Sequence, residues 1–566
     1  MRSIALLLTG LLAGLLPPCL SARDAARDPA VTAAPNLLAA ELEARARAVR
    51  IWDSSAEAII DAPLADEPPA VPLAGFLGPR EGDLDPTIDV HAGEPGVRRV
   101  AMSYGDRPPV ARAVAIGQTR SGSLLFAGQV GGPTPSQPTR IGIVQLFPTG
   151  FLDPALNTSG IQTFDLSNPA LEVIGGFVLS EDLHSVFWDR IYLLARDFEL
   201  ASGETFALIC FRRDIAANTF EPCPDFGVGV RYYSLGLAGT CPSDDSRPGG
   251  IYLDRRNPPR IFMVGQTRRT FNTCADFDWA ILKVQMNGAL DTGFGGTGQV
   301  AYWVPDGQSV DRAMARTAAI RVTGSTLVVG GSTGEGVNER AILAQFQESG
   351  TIDANFCATE VASCDSPAGH RNGRRSWETL AIGRVTALAA TLGDGMYVAR
   401  RSGAESASET FGLLARIDGG GGCSTLCNTL TMFPISGTRF TPVAVHWAFR
   451  EDVAPPGFRI TVAGWARPSA SSDEGGTAYV YRFRDAGASL VADDDFVSTI
   501  GIPWRQDITW PPFGTTTPRD AQVFGMGVDR QGRVMLAASV RAFNTERDMG
   551  IARLQGKVVL FRNGFE

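Results

Sequence analysis

The sequence predicts an all-β chain, folded as a single β-propeller of about seven four-stranded blades behind a short N-terminal helical and Pro-rich leader. Three observations predict it. Glycine is abundant, with 63 residues, while charged residues make up only 20%, a balance that suits many short strands joined by tight turns. Two short apolar strand patterns recur in the same order seven times along the chain. A Gly- and Asp-containing turn follows the second pattern in several copies. A sheet of about 65 residues cannot bury both of its faces alone, and radial stacking of such sheets solves that problem.

The first segment stands outside this pattern. Met1-Arg2 gives a positive start, residues 4–16 form an apolar run, and Leu20-Ser21-Ala22 offers small residues before Arg23. Residues 1–22 therefore read as a secretory signal peptide, too short to be a transmembrane helix, which needs about 20 apolar residues. Pro17-Pro18 stand where a lipobox carries small residues, so Cys19 is read as part of the removed signal. Residues 23–80 are rich in Ala and Pro. Within them 36–52 has helical composition, followed by a linker through Pro63, Pro68, Pro69 and Pro72.

From about residue 81 to 556 the repeat takes over. The first pattern is an apolar strand of about five residues ending in a small anchor: Gly128, Ala195, Gly265, Gly330, Ala399, Gly464 and Ala538, at intervals of 65 to 74 residues. The small anchor permits close backbone approach between neighbours. The second strand ends on Leu146, Phe211, Val284, Phe346, Ile417, Phe483 and Leu554. The clearest turn is Gly288-Ala289-Leu290-Asp291-Thr292-Gly293-Phe294-Gly295, echoed by Gly350 to Phe356 and Gly150 to Leu156. In such a turn Asp bonds nearby backbone N–H groups, and the apolar residues pin the corner to the core.

This turn, with the preceding Ala-[Ile/Leu]-x-[Lys/Arg/Gln]-apolar strand, resembles the delta-60 repeat β-propellers over roughly residues 82–555. The match is strong in the third and fourth units and weaker elsewhere: the second has Phe220-Glu221-Pro222-Cys223-Pro224-Asp225-Phe226-Gly227, the sixth has Asp493-Asp494-Asp495-Phe496, and the fifth has only Gly419 to Cys427. The resemblance implies propeller architecture and secretion or surface exposure. It implies no defined enzymatic activity and transfers no catalytic residue.

Ring closure is also legible. Gly82 to Ile88 is a copy of the turn with no complete unit before it, so residues 97–102 should be an orphan outer strand that completes the last blade. Lys557-Val558-Val559-Leu560-Phe561 is the alternative donor of that strand. Residues 557–566 read as a tail, either a sorting signal or a frayed end.

Eight cysteines remain after the signal: Cys210, Cys223, Cys241, Cys274, Cys357, Cys364, Cys423 and Cys427. An even count in an exported chain suggests disulfides, with sequence neighbours as the simplest pairs. No CxxC occurs and the four histidines are scattered, so no metal site or cofactor is expected. The net charge of −9 without a basic stripe gives no support to a nucleic-acid partner.

No residue set reads as catalytic. Gly330 to Gly334 matches Gly-x-Ser-x-Gly, but it leaves a repeat strand without entering a helix. Asp493-Asp494-Asp495 lacks calcium-loop spacing and reads as a solvated corner. Trp279 reads as core, Trp465 as a candidate loop-mouth residue, and the remaining tryptophans mainly as packing between blades. The leading expectation is an exported, non-enzymatic binding or surface scaffold. It would meet an unknown protein or glycan through the strand-connecting loops at 129–139, 266–277, 331–339, 400–409 and 465–476. The alternatives are a hydrolase or lyase with acids at the central channel, and an envelope adaptor held by the 36–52 helix.

Overall fold

Seven antiparallel sheets follow one another in the computed structural model, which describes strands and turns between residues 97 and 554; residues 1–96, 555–566 and segments between strands lie outside the description. The expected signal, leader, 36–52 helix and tail therefore fall outside the described residues, as do Cys241, Cys274, Cys364, Cys423 and Cys427. Blades I to VI occupy residues 111–165, 171–233, 246–302, 314–376, 383–432 and 438–508. Blade VII takes its first three strands from 521–553 and its outer strand from Val97–Val100. Arg98 lies opposite Ile551 and Arg99 opposite Gly550, and Arg99 Nε is 3.1 Å from Asp548 Oδ2. The first strands touch in succession from blade I through blade VII and back to blade I, which closes the ring.

The inner strands are longer than the five residues expected, running from seven to thirteen. The apolar run stops at the first polar residue, but pairing does not. Gln129, Arg196, Thr333 and Arg401 continue the second strands while buried. Every first strand also carries one bulge, at Val114, Ile174, Gly249, Arg316, Thr386, Val443 and Phe524. The extra residue bends the strand and adds twist, which a radial sheet needs near the axis.

The bulge explains the anchors that are glycine in blades I, III and VI. Gly128 lies opposite Ala113, immediately before the bulge, and a Cβ there would stand 1.9 Å from the Arg112 carbonyl oxygen. Gly265 and Gly464 hold the same place in blades III and VI. In blade IV that place belongs to Gly331, not Gly330, because Gly331 faces Ala315 and would clash with the Met314 carbonyl. Gly330 instead packs on Val385 of blade V. In blade V, Arg400 faces the pre-bulge Val385 and Ala399 faces the residue after the bulge.

Tryptophans tie blades together. Trp279 Nε1 donates to Ser332 O of blade IV at 3.1 Å, Trp447 Nε1 donates to Ala390 O of blade V, and Trp510 Nε1 donates to Ile551 O of blade VII at 3.3 Å. Trp465 is not at a loop mouth. It is 1% exposed and packed among Val443, Val480 and Ile508, because its strand runs on past the anchor glycine to Pro468.

Candidate functional site

Because successive strands are antiparallel, all second-to-third strand connections leave the same face of the ring, here the loop face. The connections between first and second and between third and outer strands leave the other, the corner face. The five expected recognition loops spring from the loop face. Their tips, at 132–138, 269–276, 335–338, 404–408 and 469–475, lie outside the described residues.

The strand ends beneath three of those loops, at 129–139, 331–339 and 400–409, are braced by buried charge. Arg112 Nη2 donates to Gln129 Oε1 at 2.6 Å, and Arg112 Nη1 donates to Glu172 Oε1 of blade II at 3.3 Å. Gln129 Oε1 also accepts from Val173 N at 3.0 Å. Between blades IV and V, Glu339 gathers three guanidinium groups: Arg316 at 3.8 Å, Arg384 at 3.8 Å and Arg401 at 3.5 Å. Arg316 is the bulge residue of blade IV. The other six bulges carry uncharged residues. All four side chains are buried, where charge is tolerated only when paired.

The corner face carries a second repeated device. In blade I, Asp153 N donates to Gln145 O at 2.9 Å, and Gln145 Nε2 returns a bond to Asp153 Oδ2 at 2.6 Å. Asp153 Oδ1 accepts from Ala155 N at 3.0 Å, as the turn chemistry anticipates. Blade IV repeats it: Asp353 N to Gln345 O is 2.8 Å, Gln345 Nε2 to Asp353 Oδ2 is 2.7 Å, and Asn355 N to Asp353 Oδ1 is 3.1 Å. In blade VI the pair is Arg482 and Asp493, at 2.6 Å, with Arg459 Nε a further 3.0 Å from Asp493. Asp493 is thus no solvated corner residue. It is 2% exposed and doubly paired, while Asp495 of the same triplet is largely exposed.

Blade II makes the same bracket covalently. Cys223 N donates to Cys210 O at 2.9 Å, and Cys210 and Cys223 form a disulfide with Cα atoms 5.4 Å apart. Cys210 occupies the strand register of Gln145 and Gln345, one residue before the apolar end, and Cys223 the place of the corner Asp. Cys357 is also disulfide-bonded, with its partner outside the described residues.

Blade III departs in another way. Asp291 keeps the backbone bracket, with its N donating to Lys283 O at 2.8 Å. Its Oδ2 is taken by Arg260 Nε at 2.7 Å, and Lys283 Nζ stands back at 3.5 Å. Burial pushes the Asp291 carboxyl up, but the Arg260 bond and the charges of Lys283 and Arg260 outweigh it and hold it below the ordinary value of 3.8. A pocket of about 520 Å³ opens there, lined by residues of blades III and IV.

Among the described residues no group of three or more His, Cys, Asp or Glu is placed to hold a metal ion, and no helix is long and apolar enough to cross a membrane. The signal that points to the bracket is the Lys/Arg/Gln position of the repeat, which the sequence displays without its partner.

No protein-family model and no curated protein matches the chain. Solved structures overlap it loosely. Drosophila semaphorin 2a gives a TM-score of 0.37 at 9% identity, covering 81% of this chain and 77% of that one. A point mutant of NanB sialidase from Streptococcus pneumoniae gives 0.35 at 10% identity, covering 81% and 70%. A protein of unknown function from Dyadobacter fermentans gives 0.33 at 10% identity, covering 81% and 99%. At such scores and identities none of the three carries an argument about the chemistry of this chain.

Proposed function

We propose that the chain is an exported, non-enzymatic propeller that recognises a protein or glycan partner through the loops of its loop face. The observation that carries this reading is the bracing beneath three of those loops, at 129–139, 331–339 and 400–409. The Arg112–Glu172 tie and the three arginines around Glu339 fix the strand ends from which loops of differing sequence emerge. A rigid frame presenting variable loops is a general way to build a recognition surface. Glu172 and Glu339, the buried glutamates on this face among the described residues, are both engaged by arginine, which favours a structural role for them. The signal-like residues 1–22, the disulfide and the delta-60-like turns support export.

The test replaces loops 132–138, 269–276, 335–338, 404–408 and 469–475 together with short Gly/Asn turns. The parent and the variant are then assayed against a glycan panel and by crosslinking in native envelopes. The expected result is a partner captured by the parent and lost in the variant at unchanged melting temperature. Capture that survives loop replacement would overturn the reading, and turnover of a panel glycan by the parent would replace it with hydrolysis.

A further inference from the structure

The pocket at the corner of blade III lies on the face opposite the loops. Its walls come from the turn carrying Asp254 and Arg256, from Arg260, Lys283 and Asp291, and from Glu348 and its neighbours in blade IV. Its volume of about 520 Å³ is that of a small-molecule site. Charged and hydroxyl-bearing side chains dominate its lining, which disfavours an apolar occupant.

Two of its three cations are already committed. Arg256 donates from Nε and Nη2 to the Asp254 carboxylate, at 2.9 and 2.8 Å. Arg260 donates to Asp291 at 2.7 Å. Lys283 differs. Its side chain is 8% exposed and its ammonium lies 5.8 Å from the centre of the Phe262 ring. Its register is that of Gln145 and Gln345, which bond their corner Asp directly at 2.6 and 2.7 Å. Arg260 has taken that acceptor, so Nζ stands 3.5 Å from Asp291 Oδ2 and 3.9 Å from Glu348 Oε1, at the pocket wall. An ammonium has three donors to place. Glu348, 65% exposed and at the longer distance, is a weakly held partner that an incoming oxyanion can displace at little cost.

We propose that this pocket binds a small polyhydroxylated anion of the sugar-acid or sugar-phosphate class, with its carboxylate or phosphate on Lys283 Nζ. The paired carboxylates and guanidinium groups around it, with Ser325 and Ser349, provide acceptors and donors for ligand hydroxyls. The site is independent of the loop-face reading, because it lies at the other end of the strands.

The test is calorimetric titration of the full mature chain with glucuronate and glucose 6-phosphate, and with glucose and inorganic phosphate as partial probes. Binding of glucuronate or glucose 6-phosphate at one site is expected, tighter than either partial probe. Lys283→Gln should weaken it about tenfold or more, the loss of one charge-assisted hydrogen bond. That variant should fold, since Gln fills the same register in blades I and IV. Glu348→Gln should tighten binding by removing the competing carboxylate, and the loop-replaced variant should bind as the parent does. Absence of binding by all four probes, an unchanged affinity in Lys283→Gln, or weaker binding in Glu348→Gln would each overturn the proposal.

Discussion

The corners of blades II and IV share one strand-to-corner backbone bond and reinforce it with different chemistry. In blade IV a glutamine amide and an aspartate carboxylate meet at 2.7 Å; in blade II two sulfurs are bonded. The backbone bond beneath is nearly identical, at 2.8 Å in blade IV and 2.9 Å in blade II. The difference teaches that blades I, II, IV and VI each link strand to corner, and that the nature of the link varies among them. Blade III shows a consequence of that variation. There the link passes from the third strand to Arg260 of the second, and a pocket and a displaced lysine are left behind.

Breaking the covalent corner should have the largest effect. The disulfide spans a sequence separation of 13, and closing a loop of that size is worth about 3 kcal/mol on chain-entropy grounds. Cys210→Ser with Cys223→Ser should lower stability by about 2–4 kcal/mol, read by denaturant unfolding, with earliest proteolytic cleavage near residues 215–222. Asp353→Ala in blade IV should cost about 1–3 kcal/mol, because the buried Gln345 amide loses its acceptor and Asn355 N its cap. Lys283→Gln in blade III should change stability by less than about 1 kcal/mol, since Arg260 already holds Asp291. The smallest difference is one of pH. Asp291 is held below its ordinary value of 3.8, so its contribution is present above that value and is lost as pH falls through the lower folded value. Asp291→Asn should flatten that acid-side loss in thermal melts, whereas the blade II corner has no titrating group at the equivalent position.

Much of the fold is legible in the sequence because the repeat is local. Seven anchors correspond to seven blades, and the turn's Asp bonds the backbone N–H groups expected of it. The register inside the blade is less legible. Gly330 stands out over Gly331 in the sequence, because an anchor is only as well placed as the unseen bulge opposite it. Trp465 and Asp493 differ from expectation for different reasons. The strand of Trp465 runs past the anchor glycine to Pro468 and buries the ring, whereas Asp493 follows the end of its strand and is buried by its arginine partners, which lie at other places in the sequence. The bracket is hidden because its two ends are eight to thirteen residues apart and change identity together, from Gln–Asp to Cys–Cys. The Glu339 cluster joins strands of two blades and has no local signature at all.

The interchangeability of these brackets is tested most directly by comparing two double variants at the blade II corner, Cys210→Gln with Cys223→Asp and Cys210→Ser with Cys223→Ser, in denaturant unfolding under identical conditions. The first pair rebuilds the link used by blades I and IV and should be the more stable by about 1.5–3 kcal/mol, the worth of a buried hydrogen bond to a charged acceptor. Equal stability of the two, or a less stable Gln–Asp pair, would contradict the claim that the strand-to-corner links of blades I, II and IV are interchangeable.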